Sequence, residues 1–205
     1  MVKRTKTNGD SKPVTTAQRL GSVIKSARDI MRKDKGMNGE LDRLPQFTWI
    51  LFLKLLDDAE KVREEEAFLE GTLDKYKPLI ESPYRWRDWA ADDEGMSGDD
   101  LLKFINNDEV TLRDGTKSPG LFAYLRSLQS ATGRDRKDVI RQVFNDVTNR
   151  MISGALLRDV VNKVNDIHFD NSQEVNILSN LYESMLKEMR GASHFCKYIK
   201  WKVDH

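Results

Sequence analysis

The sequence is poor in the residues that build closed chemical sites. A single cysteine, Cys196, stands in 205 residues, which excludes an internal disulfide and any multi-cysteine metal centre. Histidine occurs only as His168, His194 and His205, too sparse a set for zinc chemistry. Neither G-x-G-x-x-G nor G-x-x-x-x-G-K-[ST] is present, so no glycine-rich loop offers its backbone to a phosphate. Gly95, Gly98, Gly115 and Gly120 stand singly and read as turns. No apolar stretch approaches the roughly 20 residues that cross a bilayer. The charged start "MVKRTKTNGDSKP" has no apolar segment behind it, so it does not read as a secretory leader. A soluble, cytoplasmic protein without a membrane role is expected.

Charge is abundant but unevenly placed. A third of the residues are charged, yet the net charge is +1 and the mean hydropathy −0.62. Residues 1–35 carry a net +7, residues 36–109 a net −10, residues 110–186 a net +1 and residues 187–205 a net +3. Such blocks suit a polyanionic partner at one face, and equally suit solvated faces that keep a protein dissolved.

Against this polar background one run stands out. From Phe47 to Leu56 only Thr48 and Lys54 are not large and apolar. Phe47, Ile50, Leu51 and Leu55 recur at helical spacing, and Trp49, Phe52, Leu53 and Leu56 fill the other faces. A helix apolar nearly all round is buried among other helices. It is expected to run from about Gln46 to about Leu69, buried first and exposed later, with Lys54 as the one charge on an apolar face.

The remaining elements arrange themselves around it. Residues 1–14 read as a mobile basic arm. "TTAQ" makes a capping box with Thr15 at the N-cap, followed by a stripe of Leu20, Val23, Ile24, Ala27, Ile30 and Met31. The stretch from Tyr76 to Asp100, broken by Pro78 and Pro83, is expected to be irregular. Short helices are expected from about Asp99 and about Pro119. Stripes of Val139, Ile140, Val143, Phe144 and Val147, and of Leu156, Leu157, Val160, Val161 and Val164, predict two more. "NSQE", Asn171 to Glu174, caps a last helix carrying Leu178, Leu181, Tyr182, Met185 and Met189. No strand pair and no repeat is evident. The expected fold is all-α, a compact multi-helix, bundle-like domain around a buried central helix.

Chemistry is hard to place on this pattern. Asp92, Asp93, Glu94, Asp99 and Asp100 lack the spacing of a calcium loop and read as a helix start in a solvated loop. Ser97, His168 and Asp170 form no nucleophile motif. Cys196 has Lys197 beside it but no partner group. Two stretches suit nucleic acid. In "PYRWRDW", Arg85 and Arg87 interleave with Tyr84, Trp86 and Trp89, a composition for phosphate contact and base stacking. The plainer alternative is that the rings plug the core while the arginines pair with Asp88, Asp92 or Asp93. In "TGRDRKDVIR", Arg134, Lys137 and Arg141 recur at helical spacing with Arg136 alongside, as a phosphate-binding group or as a solvated face. Lys25 and Arg28 of the first helix, with Lys3, Arg4, Lys6, Lys12 and Arg19, extend the basic set.

Four segments carry a resemblance: the basic "AQRLGSVIKSARDIMR", the buried "FTWILFLKLLDD", "RDVVNKVNDIHF" and "LSNLYESMLKEMR". In this order, over roughly Thr15 to Arg190, the chain resembles the N-terminal helical domain of the methylation (M) subunit of type I restriction-modification systems. That resemblance implies DNA, the specificity subunit and a second M subunit as partners. It implies phosphate-backbone contact without base readout and a domain that clamps DNA and meets other subunits. In the family a methyltransferase domain follows, with S-adenosylmethionine as cofactor and an Asn-Pro-Pro-Phe/Tyr tetrad for the flipped adenine. Residues 191–205, "GASHFCKYIKWKVDH", stand where that domain would begin, and are expected to be an atypical tail, out of frame or joined from elsewhere. No Asn-Pro-Pro occurs in the chain, so no catalytic and no cofactor-binding residue is assigned within it. A helical protein-interaction module without nucleic-acid binding is the alternative.

Methyl transfer by this chain alone is therefore expected to be absent, since base-flipping methylation needs a pocket these residues do not encode. Incubation with labelled S-adenosylmethionine and an adenine-containing duplex should leave background counts. Clear turnover would overturn this expectation.

Overall fold

The computed structural model describes residues 16–92, 95–112, 114–130 and 136–167. Within them lie seven α-helices: α1 (Thr16–Met31), α2 (Glu40–Leu69), α3 (Trp86–Trp89), α4 (Gly98–Asn106), α5 (Leu121–Ser127), α6 (Arg136–Asn145) and α7 (Gly154–Asn165). A single 3-10 turn at Leu73–Lys75 follows α2. The fold class is all-α, as the apolar periodicity predicts. None of the described helices is long and apolar enough to cross a membrane. The basic arm at 1–14, Arg134, the helix expected after Asn171 and the tail at 191–205 lie outside the described residues.

Helix α2 is the axis of the domain. From Gln46 to Asp57 every residue is buried except Leu55, which is half-buried. Trp49 meets Phe122 of α5 edge-on, with ring centroids 5.1 Å apart. Phe52 meets Phe144 of α6 at 5.9 Å, and Phe122 and Phe144 meet each other at 5.6 Å. α1, α3 and α7 also pack against α2. Lys54 is 3% exposed. Its ammonium donates to both carboxylate oxygens of Asp58, each at 2.8 Å, one turn further on. The charge on the apolar face is thus carried inside as an i,i+4 ion pair, because an unpaired ammonium there would be costly to bury.

Three expectations need correction. α2 begins at Glu40 rather than about Gln46, and Pro45 lies inside it. Proline deprives one carbonyl of its intrahelical donor. Here Pro45 and Leu41 are both exposed, so water can reach that carbonyl and the helix runs through. Glu40 and Asp42 in the first turn suit the positive end of the helix dipole. A strand pair also exists: β1 (Glu109–Thr111) and β2 (Lys117–Pro119) are antiparallel, with Val110 opposite Ser118. Three residues per strand, mostly exposed, leave no apolar alternation to detect. The turn makes the hairpin: Asp114 accepts from the Thr116 amide at 2.9 Å and hydroxyl at 2.7 Å, and Gly115 takes φ +83°. Finally, the stretch expected to be irregular contains the single-turn helix α3.

Buried polar groups tie distant segments together. Asp34, 3% exposed, follows α1. It accepts from the amides of Gly36 at 2.7 Å, Ser153 at 2.9 Å and Ile152 at 3.2 Å, holding the end of α1 to the start of α7. Gln46 is buried on α2; its amide nitrogen donates to Asn149 at 2.8 Å, and its oxygen accepts from the Arg150 amide at 2.9 Å. The start of α7 also approaches α4 closely. A Cβ on Gly154 would collide with the Gly98 backbone, so only glycine fits.

Phe52→Ala should lower stability by about 3–5 kcal/mol, the usual cost of deleting a buried ring. Gly154→Ala should cost about 1–3 kcal/mol through overpacking against the Gly98 backbone. Urea melts followed by circular dichroism check both. An unchanged midpoint for Phe52→Ala would show that the centre of α2 is not enclosed.

Candidate nucleic-acid interface

The basic residues fall into three places. The first is the corner between α1 and α2. Lys25 is exposed on α1. Arg28 donates to Glu40 at 2.6 Å, Arg43 donates to the same carboxylate at 3.0 Å, and Arg32 lies 3.5 Å from it while bonding Asp29 at 2.6 Å. Arg150, brought in from the segment before α7, pairs with Asp42. Burial opposes the charge of Glu40, but the hydrogen bonds and charges of Arg28 and Arg43 outweigh it and hold the carboxyl below the ordinary glutamate range. The resulting stabilisation is present above that ordinary range and is lost as the pH falls through the lowered value. Counting Lys25, Arg28, Arg32, Lys33, Lys35, Arg43 and Arg150 against Asp29, Asp34, Glu40 and Asp42, this corner carries a net +3.

The second place is "PYRWRDW". Its rings belong to the core: Tyr84, Trp86 and Trp89 are all buried. Tyr84 stacks on Tyr124 with centroids 3.9 Å apart and donates its hydroxyl to the Pro119 carbonyl at 2.8 Å. The Trp86 indole donates to Asn165 at 3.0 Å. Arg85 pairs with Asp88 at 2.9 Å. Arg87 reaches back to α2, donating to Asp57 at 2.9 Å and Glu64 at 2.5 Å. Both guanidinium groups are held protonated more firmly than usual. For Arg85 the chief cause is its bond to Asp88; for Arg87 burial works the other way but the bonds to Asp57 and Glu64 prevail. The buried rings of this stretch offer no surface platform for a base to stack upon.

The third place is α6. Arg136 is exposed in its first turn, and Lys137 lies 3.8 Å from Glu81. Arg141, one turn on from Lys137, is half-buried, and its Nε is buried with no hydrogen-bond partner. Lys137 and Arg141 therefore share a helix face as their spacing predicts. Among the described residues no group of three or more His, Cys, Asp or Glu could hold a metal ion.

Sequence reasoning misses Arg32, Arg43 and Arg150. Arg32 is visible in the basic first block but carries no special spacing. Arg43 sits in the acidic block, and Arg150 is 108 residues from Asp42; the packing of α2 on α1 and the bond from the Arg150 amide to Gln46 bring them to the corner. The arrangement offers fixed positive charge and many N–H donors. It offers no paired acid and base for proton transfer.

Comparison with known proteins gives this surface its context. Residues 20–164 match the family described as HsdM N-terminal domain. The chain is 42% identical over 176 residues to the methylase subunit of the type I restriction enzyme EcoEI from Escherichia coli, covering 85% of this chain and 32% of that protein. It is similar in structure to a modification subunit assigned to a type I restriction enzyme from Vibrio vulnificus YJ016, with a TM-score of 0.80 and 61% identity over 90% of this chain and 38% of that one. A chain from a structural study of complex assembly and conformational transition in the type I restriction-modification system matches with a TM-score of 0.65 and 30% identity, over 89% of this chain and 32% of that one. The chain thus spans about a third of the length of these relatives. Over residues 20–164 it belongs to the HsdM N-terminal domain family of type I restriction-modification methylase subunits.

Proposed function

We propose that this domain encloses DNA and contacts other subunits within a cytoplasmic type I methylase complex, with no chemistry of its own. The observation that carries the DNA half is the α1–α2 corner, where Arg28, Arg32 and Arg43 surround the one carboxylate Glu40. Three guanidinium groups share the two carboxylates Glu40 and Asp29, which leaves one positive charge and several N–H donors for a further anion. Phosphates are the anions a nucleic-acid enzyme meets, and such contacts position a protein on a duplex without reading its bases. Lys25, together with Arg136, Lys137 and Arg141 on α6 and with Arg134, is proposed to extend the contact. Arg85 and Arg87 hold the fold through their acidic partners, and we assign them a supporting part in it.

The specificity subunit and a second methylase subunit are the proposed protein partners. S-adenosylmethionine belongs, in this proposal, to the catalytic part of the parent subunit. The residues of this chain do not fit it: no Asn-Pro-Pro and no glycine-rich loop occurs among them, and no step of methyl transfer is assigned here.

Binding to duplex DNA should be weak, around 10⁻⁴–10⁻⁶ M at physiological salt, and independent of sequence. A Lys25→Ala, Arg28→Ala, Arg32→Ala variant should bind less tightly, its log–log salt slope shallower by about 0.9 for each phosphate it no longer neutralises. Glu40→Gln should bind up to about fivefold more tightly, because it removes the anion that competes with phosphate for the same guanidinium groups. Fluorescence anisotropy on two unrelated duplexes across a salt series checks both, with circular dichroism as the folding control. A triple variant indistinguishable from wild type at every salt concentration would remove the corner from the interface.

A further inference from the structure

The second half of α2 keeps large apolar side chains on the surface. Val62, Phe68 and Leu69 are 48%, 68% and 83% exposed, and Leu73, just beyond the helix, is 44% exposed. Apolar side chains gathered at one exposed place mark an interaction site. Their exposure does not come from a frayed helix. The Gly71 amide donates to the Phe68 carbonyl at 3.1 Å and the Thr72 amide to the Ala67 carbonyl at 2.8 Å, which closes the helix end. The chain beyond is tied back to α2: Glu60 accepts from the Tyr76 hydroxyl at 2.8 Å and from the Leu79 amide at 2.9 Å. The side chains are therefore presented on a fixed backbone.

Spacing selects the shape of a partner. Leu55, Val62 and Leu69 recur every seven residues, with Ala59 between the first two at steps of four and three. That alternation is the seam along which one helix receives another. An extended chain, with its period of two, has no such match. The seam starts half-buried at Leu55 and Ala59 and emerges at Val62. Charge selects the partner's composition. Glu65 and Glu66, three and four residues after Val62, share its face of the helix, and Glu70 follows Leu69. All three are exposed, and among the described residues none of them is in an ion pair. The carboxylates of this half that do pair are others, Glu60 with Arg63 and Glu64 with Arg87. A second copy laid on this face would bring the same three carboxylates against their like, which repulsion opposes. Nucleic acid has the same sign of charge.

We infer that the exposed half of α2 receives an amphipathic helix of a partner subunit, its apolar stripe flanked by Lys or Arg. The stripe covers Val62 and Leu69, and the flanking cations meet Glu65, Glu66 and Glu70. This surface deepens the subunit-contacting half of the proposed function and is independent of the DNA half. Peptide and duplex are therefore titrated on the same preparation, so that either can fail alone.

The probe is a fluorescein-labelled three-heptad peptide with Leu at the two seam positions and Lys at the two flanking positions of each heptad. It is titrated with the full 205-residue chain and followed by anisotropy and by circular dichroism. The controls are the same peptide with Glu in place of Lys, and a scrambled peptide of equal composition. Saturable binding of the Lys peptide with a gain of helix is expected. The exposed pair Val62→Lys, Leu69→Lys should weaken it at least tenfold while thermal melting and duplex binding are retained. Glu65→Lys, Glu66→Lys should reverse the preference toward the Glu peptide. Absence of saturable binding, equal affinity for the scrambled peptide, no weakening in the apolar pair, or an unchanged preference in the charge pair would each overturn the inference. So would a wild-type dimer in sedimentation that Val62→Lys, Leu69→Lys disperses, since a second copy would then be the occupant. A chain that binds the peptide but no duplex supports this site and removes only the DNA half of the proposed function. One that binds duplex but not the peptide overturns this site and leaves the DNA half standing.

Discussion

A helix that is apolar on every side has to be surrounded, and the rest of this domain follows from that requirement for α2. Each large side chain of the run gains about 1.5–3 kcal/mol on leaving water, but only if neighbours cover all its faces at once. The short helices supply that cover: α5 and α6 bring Phe122 and Phe144 to Trp49 and Phe52. Lys54 is the one charge between Phe47 and Leu56, and its counter-ion sits on the same helix. Beyond Glu60 the helix turns exposed and acidic, with Phe68 and Leu69 left on the surface.

Apolar packing of this kind is weakly directional, and the positions of the surfaces are set by polar ties instead. Asp34 joins the end of α1 to the start of α7, and Gln46 joins α2 to the segment that delivers Arg150. Asp34 accepts from three backbone amides and Gln46 from one, and because both side chains are themselves buried, loss of these partners is costly. Arg87, bound to Asp57 and Glu64, fixes the aromatic turn of α3 to α2. The cationic corner is a consequence of these ties, and no single segment of the chain carries it.

That origin explains what can be read in advance. The helices of the core announce themselves because their periodicity is local: Leu20, Ile24, Ala27 and Met31 repeat at helical spacing wherever α1 is placed. The run through Phe47–Leu56 foretells its own enclosure for the same reason. The start of α2 misleads because Pro45 is a boundary signal in general, and only its exposure makes it harmless here. The hairpin escapes notice because a three-residue strand has no period. Of the basic corner, Lys25 and Arg28 are visible as members of a positive block. Arg43 and Arg150 become part of it only when α2 and α7 are in place. For "PYRWRDW", composition alone cannot separate surface rings from core rings, and burial of Tyr84, Trp86 and Trp89 does.

On the proposed function, an enclosed apolar axis presents a charged corner to DNA without itself changing. Hydrogen exchange on the chain, with and without saturating duplex DNA, puts that statement to the test. Amides from Trp49 to Leu53 should be among the slowest to exchange in both states, while DNA slows exchange in α1 and at the start of α2. Fast exchange at Trp49 to Leu53, or a DNA complex that leaves α1 and the start of α2 unchanged, would contradict it.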